Sequence, residues 1–397
     1  MQLDANVIIV GGGPAGLATA LFLAAADPGL RERIVVLEKK RYPRDKPCAG
    51  AMGSRADRAL ARIGVSVDVP SVPFDGMVLT TTVGRVERRT GGLGRVVRRL
   101  EFDARLAEIA CARGIRVLDG TGATAVDYGP GGVSVETPLG TLRGEVLVGA
   151  DGVGSTVRRA MGLPQGTLRA QVVEVDTPVT VADLSRDIVH FDLADRTLRG
   201  YAWDFPTVVD GEPLVSRGVY ALRSGDTPGE DVGVRLDRRL EAQGLCPAAL
   251  SKTKRFSERG FEPHRAASDM RTLLVGEAAG IDALTGEGIA QAIEYGEAAA
   301  RYLARKLATR DLGFRDWKRH LVRSRLGIDL LVRRSCVELL YDVPRPFMEG
   351  YLSAAPEMLG TAMAWFSGTP IPWGDTLTAV ARLVPYAARR ASEDPHA

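Results

Sequence analysis

The chain has 397 residues, of which 45% are hydrophobic and 25% charged, and its formal net charge is +3. A chain of this length can form two domains, its small charge gives no argument for a nucleic-acid partner, and it lacks the roughly eighteen consecutive apolar residues of a membrane span. Its four cysteines and four histidines are scattered without metal-ligand spacing, so we expect a cytoplasmic protein with no metal site.

The first predicted elements form a dinucleotide-binding unit. The apolar run 7–10 enters the glycine turn 11–16, a helix of small residues follows, and a second apolar run, 34–37, ends in Glu38. The glycines permit a tight turn, close approach to a pyrophosphate and close helix packing, while the terminal acid accepts hydrogen bonds from a ribose. The residues predicted to hold the dinucleotide here are Gly11, Gly13, Pro14, Ala15, Gly16, Glu38 and Lys39.

Helices and strands alternate less regularly after residue 38. A proline-punctuated loop covers 39–50, and the apolar pattern predicts a helix near 54–63, strands within 70–99 and a helix over 102–113. Two closely spaced turns predict an antiparallel meander between 115 and 148.

The second half of the chain begins with strand-like runs, for example at 171–175 and 218–222. An apolar strand at 272–275 returns to the nucleotide-binding unit, and a long helix is predicted over 288–307. The remainder, 313–397, reads as helices interrupted by prolines. Two of its apolar segments, 326–332 and 358–366, could cap an apolar cavity or rest on a membrane surface.

Three downstream motifs join the glycine turn in a recognisable order. They are Arg99-Leu100-Glu101-Phe102-Asp103, Gly149-Ala150-Asp151-Gly152, and Gly276-Glu277 followed by Thr285-Gly286-Glu287-Gly288-Ile289. This order resembles the fingerprints of FAD enzymes of the para-hydroxybenzoate hydroxylase-like superfamily, over most of residues 1–307. The resemblance implies FAD as the cofactor, and it adds Arg99, Asp151, Gly276, Glu277, Gly286, Gly288 and Ile289 to the cofactor-binding residues.

Two of these motifs also carry physical arguments. Glycines at 286 and 288 would let the backbone approach the flavin ring, and the N-terminus of the following helix would stabilise negative charge on a reduced flavin. Glu277 stands where the superfamily usually has aspartate, and its longer side chain can keep the same hydrogen bond. Asp151 is expected to tie the sheet to the nucleotide domain rather than to take part in chemistry.

A finer resemblance is to the geranylgeranyl reductase family. It is carried by the cysteine loop Pro43-Arg44-Asp45-Lys46-Pro47-Cys48-Ala49-Gly50 and by Gly200-Tyr201-Ala202-Trp203-Asp204-Phe205-Pro206. On a strand, Tyr201, Trp203 and Phe205 point to one face, so they are predicted to line a cavity for an apolar substrate; ordinary core packing is the alternative.

Cys48 is the candidate catalytic residue. Its thiol could donate a proton or position the substrate, and Lys46 and Arg44 are expected to lower its pKa. The alternative is that Cys48 is a small buried hydrophobe without a chemical role.

These observations predict an α/β fold with a Rossmann-like FAD/NAD(P)-binding domain, a mixed β-sheet substrate domain and a helical C-terminal region. The FAD-binding domain is assigned to residues 1–69, 100–168 and 260–312, the substrate domain to 70–99 and 169–259, and the helical region to 313–397.

The predicted activity is reduction of carbon–carbon double bonds in an apolar, prenyl-type substrate by hydride transfer from reduced flavin. The alternative is a flavin monooxygenase acting on an aromatic or polyketide metabolite, and a third hypothesis is a non-catalytic flavin-binding redox sensor. Because no second glycine motif is present, electrons are expected from transiently bound NAD(P)H or another donor, including a donor protein. Peripheral contact with a membrane is a further expectation.

Overall fold

The computed structural model describes residues 4–129, 131–224, 230–250, 252–342 and 345–393, which contain two eight-stranded sheets. The first sheet has a parallel centre, in which β1 lies between β2 and β9, and an antiparallel extension made by β7 and β8. Its central strands are apolar and buried on both faces, as a parallel sheet requires. The strands are β1 Ala5–Val10, β2 Ile34–Leu37, β6 Arg116–Leu118, β7 Ala125–Gly129, β8 Gly132–Thr137, β9 Gly140–Gly149, β15 Ser268–Asp269 and β16 Thr272–Leu274.

The second sheet is mixed, since β11 runs parallel to β4 while the other neighbouring strands are antiparallel. Its spatial order is β14-β10-β13-β12-β11-β4-β5-β3. The strands are β3 Ala51–Gly53, β4 Ser71–Thr81, β5 Gly84–Val97, β10 Leu168–Pro178, β11 Ile188–Asp192, β12 Gly200–Val209, β13 Glu212–Ser224 and β14 Lys254–Arg259.

Two buried helices pack together on the first sheet. They are α1 and α6, and their contact is close because Gly296 has no side chain: a Cβ there would lie 2.6 Å from the Ala18 Cβ. The helices are α1 Pro14–Ala26, α2 Arg55–Ala61, α3 Arg99–Ala112, α4 Thr156–Ala160, α5 Val232–Ala242, α6 Ile289–Thr309, α7 Trp317–Val322, α8 Arg325–Tyr341, α9 Arg345–Ala354, α10 Glu357–Ser367 and α11 Trp373–Glu393.

The predicted fold class is confirmed: a parallel-centred α/β unit, a mixed second sheet and C-terminal helices are all present. Two local predictions were wrong. The segment 51–53, assigned to the FAD-binding domain, forms β3 at the edge of the second sheet, because it pairs with β5. Arg99, assigned to a strand segment, is the first residue of α3, where its guanidinium pairs with Asp103 one turn later. In the described part of the chain, no helix is long and apolar enough to cross a membrane.

Candidate active site

A cavity of about 330 Å³ lies where the carboxyl ends of β1, β2 and β9 meet the N-termini of α1 and α6. In open α/β sheets, ligands bind at this edge. The predicted cofactor residues that line this cavity are Gly11, Gly13, Pro14, Ala15, Glu38, Lys39, Arg99, Asp151, Glu277, Gly286, Gly288 and Ile289.

Gly16 and Gly276 are not in its wall and act through packing instead. A Cβ at Gly16 would lie 1.9 Å from the backbone oxygen of Gly11, so only glycine lets α1 begin this close to β1. Gly276 has a positive φ of 57°, and a Cβ there would lie 2.7 Å from the Ala15 Cβ. Both glycines therefore shape the turn without facing a ligand.

Three buried charged side chains, Glu38, Arg44 and Arg99, line one side of the cavity, and the buried Asp103 behind them pairs with both arginines. The Glu38 Oε2 accepts a hydrogen bond from the Gly12 backbone N–H at 3.1 Å and pairs with Arg44 at 3.1 Å. Arg44 also pairs with Asp103 at 2.9 Å, and Asp103 in turn holds Arg99 through two hydrogen bonds of 2.7 and 2.6 Å. Arg44 and Asp103 were missed as site residues, because only the fold brings the cysteine loop against α3.

Asp151 and Glu277 line the opposite side. The Asp151 carboxylate accepts hydrogen bonds from the backbone N–H groups of Thr156 and Val157, at 2.6 and 3.3 Å, and thereby holds the start of α4. Glu277 pairs with Lys46 at 3.2 Å through Oε2, whereas its buried Oε1 has no hydrogen-bond partner in the described structure.

These features fit a bound FAD. The N-termini of α1 and α6 have no side-chain caps, so their first N–H groups are left to a ligand. The glycine turn lets a phosphate approach the backbone, and the unpartnered Glu277 Oε1 is an acceptor for a hydroxyl. Arg99, Glu38 and Glu277 are among the polar side chains of these walls that would hold a bound FAD.

The loop that leads into α6 is held from several directions. Tyr201, Tyr220 and Tyr341 donate hydrogen bonds to the backbone carbonyls of Thr285, Ala283 and Leu284, the latter two at 3.0 and 2.7 Å. A Cβ at Gly286 would lie 2.8 Å from the Glu258 Oε2 and 3.0 Å from a Tyr220 ring carbon. The loop is thus fixed by hydroxyls from the second sheet and from α8, and it passes so close to that sheet that glycine is required at 286.

An aromatic-lined cavity lies beyond this loop, on the inner face of the second sheet. The register places Phe256, Val172, Tyr220 and Tyr201 in one row across four strands. In the next row, a Cβ at Gly218 would lie 2.2 Å from the Trp203 indole, so the missing side chain leaves room for the ring. The aromatic side chains that line the cavity are Phe191, Tyr201, Trp203, Phe205, Tyr220, Phe256 and Phe366.

All three predicted substrate residues are therefore in this wall, and all are buried. Sequence reasoning missed the other four aromatic side chains. For Phe191 and Phe256 a signal was available, since each alternates with more exposed residues on its own strand. Tyr220 lies between the buried, apolar Val219 and Ala221, so no alternation marks it. Phe366 comes from α10, which packs on β5, and its place at the cavity could not be predicted from local sequence.

The two cavities meet at a small set of shared residues. Cys48 and Glu258 are the titratable members, and the complete set is Cys48, Phe256, Glu258, Gly286, Gly288 and Ile289. The Cys48 backbone N–H donates a hydrogen bond to the Glu174 Oε1 at 2.9 Å, which attaches the cysteine loop to β10. Lys46 acts on the pKa of Cys48 in the expected direction and lowers it, as Arg99 does, but the expected net lowering was wrong: burial is the largest effect and raises the pKa. Burial thus favours the thiol form of Cys48 over the thiolate.

Two acids near this junction were not predicted. Glu258 lies on β14, two residues from Phe256; its side chain is half-buried, and its buried Oε2 has no hydrogen-bond partner among the described residues. Burial and the nearby carboxylate of Glu277 raise its pKa well above the ordinary value. Glu174 lies on β10, and burial raises its pKa to about 7. Lys254, Phe256 and Glu258 alternate along β14, and this spacing was the available signal for the inward position of Glu258.

A network of buried ion pairs joins residues 282–287, in the loop that leads into α6, to α2 and α8. Arg333 pairs with Asp282, Glu287 and Asp329, each at 2.8 Å. Arg55 pairs with the same Glu287 and Asp329, at 2.8 and 2.9 Å. The paired residues are far apart in the sequence, so motif analysis could not predict this network. In the part of the chain that the structure describes, no cluster of three or more His, Cys, Asp or Glu side chains is arranged to hold a metal ion.

Known proteins resemble the chain in both sequence and fold. The model of the FAD binding domain family matches residues 4–310. Menaquinone reductase of Mycobacterium tuberculosis is 30% identical over 367 residues, which cover 87% of this chain and 86% of that protein. Digeranylgeranylglycerophospholipid reductase of Methanothrix thermoacetophila is 27% identical over 322 residues, which cover 78% of this chain and 80% of that protein.

The fold is also that of a geranylgeranyl bacteriochlorophyll reductase-like protein from Thermoplasma acidophilum. Its crystal structure has a TM-score of 0.78 and 21% identity over 98% of both chains. The family resemblance predicted from the sequence is thus confirmed. The chain belongs to the FAD binding domain family and is an FAD-dependent oxidoreductase, similar to the reductases named above.

Proposed function

We propose that this protein reduces a carbon–carbon double bond in an apolar, prenyl-type substrate. The observation that carries the proposal is the junction itself: an aromatic-lined cavity meets the cofactor cavity at the glycine loop Gly286–Gly288. When bound, FAD would supply the two electrons for the reduction at its isoalloxazine ring. The relatives named for menaquinone and for digeranylgeranylglycerophospholipids support a substrate that carries a prenyl chain.

The protein's own residues have three tasks in such a reaction. The aromatic side chains bind and orient the chain of the substrate and exclude water from it. The hydroxyls of Tyr201, Tyr220 and Tyr341 hold the loop at which the substrate and cofactor cavities meet. A proton must also reach the second alkene carbon, and Cys48 and Glu258 are the shared wall residues that can carry one.

Anaerobic single turnover tests the proposal. The purified protein with FAD is reduced with NADPH, or photochemically if NADPH fails, and is mixed with geranylgeranyl diphosphate, with a menaquinone or with air. We expect a prenyl substrate to reoxidise the flavin without oxygen and to gain two hydrogens by mass spectrometry. The gain must persist after exposure to air, which distinguishes a saturated double bond from a reduced quinone ring.

The control is the corresponding substrate with a fully saturated chain, which should leave the reduced flavin unchanged. Reoxidation by air alone, with an oxygen atom inserted into an aromatic substrate, would instead favour the monooxygenase alternative. A flavin that neither NADPH reduces nor a substrate reoxidises would favour the redox-sensor hypothesis.

Contact with a lipid bilayer through α11 is part of the proposed function. Trp373, Leu377, Val380 and Val384 recur at helical spacing, and each is more than half exposed. The helix packs on α9 and α10, and Phe366 of α10 lines the aromatic cavity. A prenyl substrate resides in the bilayer, and a stripe of this kind with tryptophan at one end matches the apolar–water boundary of a membrane.

We expect Leu377→Glu to reduce cosedimentation with phospholipid vesicles by roughly tenfold or more. The reason is that burial of a leucine side chain in the bilayer contributes about 1.5–3 kcal/mol to the free energy of binding. The matched control is Thr378→Glu, which adds the same charge at an exposed neighbouring position outside the stripe. Equal vesicle binding by wild type and both variants, or none by wild type, would remove the bilayer from the proposal.

A further inference from the structure

We propose that Glu258 is the acid that protonates the substrate alkene, an assignment that rests on the proposed reduction. The proposal starts from position. Glu258 is in the wall of both cavities, and its Oε2 lies where a Cβ of Gly286 would come within 2.8 Å. The carboxyl is therefore next to the loop that the flavin and the substrate share.

The carboxyl group is also free to act. The Oε2 atom is buried and accepts no hydrogen bond from any residue that the structure describes, although buried polar atoms nearly always have partners. If Oε2 carries a proton, no described protein group accepts a hydrogen bond from it, so the proton is available to a substrate. A substrate bound in this position would explain why Oε2 has no protein partner.

Burial and the charges around Glu258 favour its protonated form. Burial has the largest effect, and the charged groups that act on Glu258 are the carboxylates of Glu277, Asp282 and Glu174 and the ammonium of Lys46. Together they raise the pKa of Glu258 well above its ordinary value, because desolvation and negative neighbours disfavour the carboxylate. An acid that is neutral near neutral pH is what general acid catalysis requires.

Contacts distinguish Glu258 from Cys48, the other titratable group at the junction. The Glu258 Oε2 has no hydrogen-bond partner among the described residues and lies 2.8 Å from the Cβ position of Gly286. Cys48 is instead held by Glu174 through its backbone N–H, which suits a residue that positions the substrate beside the carboxyl.

The reaction balances with these groups. Reduced FAD, when bound, would supply one alkene carbon with a hydrogen and two electrons and would thereby be oxidised. At the other carbon a C–H bond forms as the O–H bond of Glu258 breaks, and the electrons of that bond remain on the carboxylate. The carboxylate then takes a proton from water, and NAD(P)H or another two-electron donor reduces the flavin again.

Single-turnover reoxidation by a prenyl substrate tests the assignment with four variants. We expect Glu258→Gln, which keeps the shape but has no acidic proton, to slow reoxidation roughly 10²-fold or more while FAD binding and reduction stay unchanged. Glu258→Asp should recover part of the rate, and Cys48→Ser should lose less than Glu258→Gln. The matched control is Glu262→Gln, three residues past the end of β14, which should react like wild type.

Infrared spectroscopy provides a second measurement that needs no substrate. At neutral pH the difference spectrum between wild type and Glu258→Gln should contain the carbonyl band of a protonated carboxylic acid, shifted in D₂O, whereas the difference between wild type and Glu262→Gln should not; the contribution of Glu174 cancels in both differences. Absence of this band from the Glu258→Gln difference, or a wild-type reoxidation rate in Glu258→Gln, would overturn the assignment and leave the proposed reduction standing. A larger loss in Cys48→Ser than in Glu258→Gln would transfer the role to the thiol. If no prenyl substrate reoxidises the wild-type flavin, the proposed function and this assignment both fall.

Discussion

Replacing Gly16 with alanine is expected to yield a protein without FAD and with a destabilised first sheet. The new Cβ would meet the backbone oxygen of Gly11 at 1.9 Å, so α1 must move away from β1. Because the obstacle is backbone rather than the end of a flexible side chain, we expect a cost near or above the upper end of the usual ~1–3 kcal/mol for overpacking. The flavin-to-protein absorbance ratio and urea unfolding of the protein stripped of FAD measure the two effects.

The variant Gly13→Ala tests FAD binding separately from the stability of the fold. A Cβ at Gly13 has as its nearest neighbours the Nη2 atoms of Arg99 and Arg44, at 3.6 and 3.8 Å, which are ordinary contacts. The free energy of unfolding of this variant should be within about 0.5 kcal/mol of the wild-type value. It should nevertheless bind FAD at least about tenfold more weakly, equivalent to about 1.4 kcal/mol, because the methyl group enters the cavity where a pyrophosphate approaches.

The control for both variants is Gly360→Ala on α10, where nothing lies within 4 Å of the new Cβ. Full occupancy by FAD in purified Gly16→Ala would contradict the packing role of that glycine. Loss of stability in Gly13→Ala equal to that in Gly16→Ala would show that the turn, rather than the cavity, is sensitive at both positions.

Arg333→Ala should be the most destabilising single change in the C-terminal helices. It leaves the buried carboxylates of Asp282, Glu287 and Asp329 with less positive charge, and removing one partner of a buried ion pair costs about 3–5 kcal/mol. The neighbouring Arg334→Ala is a matched control, since its pair with Glu338 is at the surface and contributes about 0–1 kcal/mol. Urea unfolding of both variants gives the comparison.

The same variant should bind FAD less tightly, because Asp282 and Glu287 belong to the segment that presents Gly286 to the cofactor cavity. Arg55 shares Glu287 and Asp329 with Arg333, so the double variant Arg55→Ala, Arg333→Ala should lose less stability than the sum of the single losses. Equal stability of Arg333→Ala and Arg334→Ala would contradict the structural role of the network.

Much of the cofactor site was predictable because its signals are local. The glycines of the turn 11–16 and Glu38 are required by the backbone geometry of one βαβ unit, in which neighbours in sequence are neighbours in space. The alternation of Tyr201, Trp203 and Phe205 likewise follows from strand geometry alone. Their roles in binding stay predictions, while their common location in two adjoining cavities is a property of the structure.

The chemistry at the junction depends on contacts across long sequence distances. Glu258 meets Gly286 only because β14 lies beside β10 at the edge of the second sheet, and Arg44 meets Asp103 only because the cysteine loop folds over α3. The pKa of Cys48 illustrates the physical reason. Nearby positive charges in the sequence predicted a lowered value, but burial, which sequence alone does not specify, raises it.

Local backbone requirements thus determined the family, the cofactor turn and the aromatic face, since glycine spacing and strand alternation act within a few residues. Tertiary packing decided which acids are buried, which of them lack hydrogen-bond partners, and which arginines hold the loop that leads into α6. Desolvation is the reason for this division: the free energy of a charged or protonated side chain depends on every element packed around it.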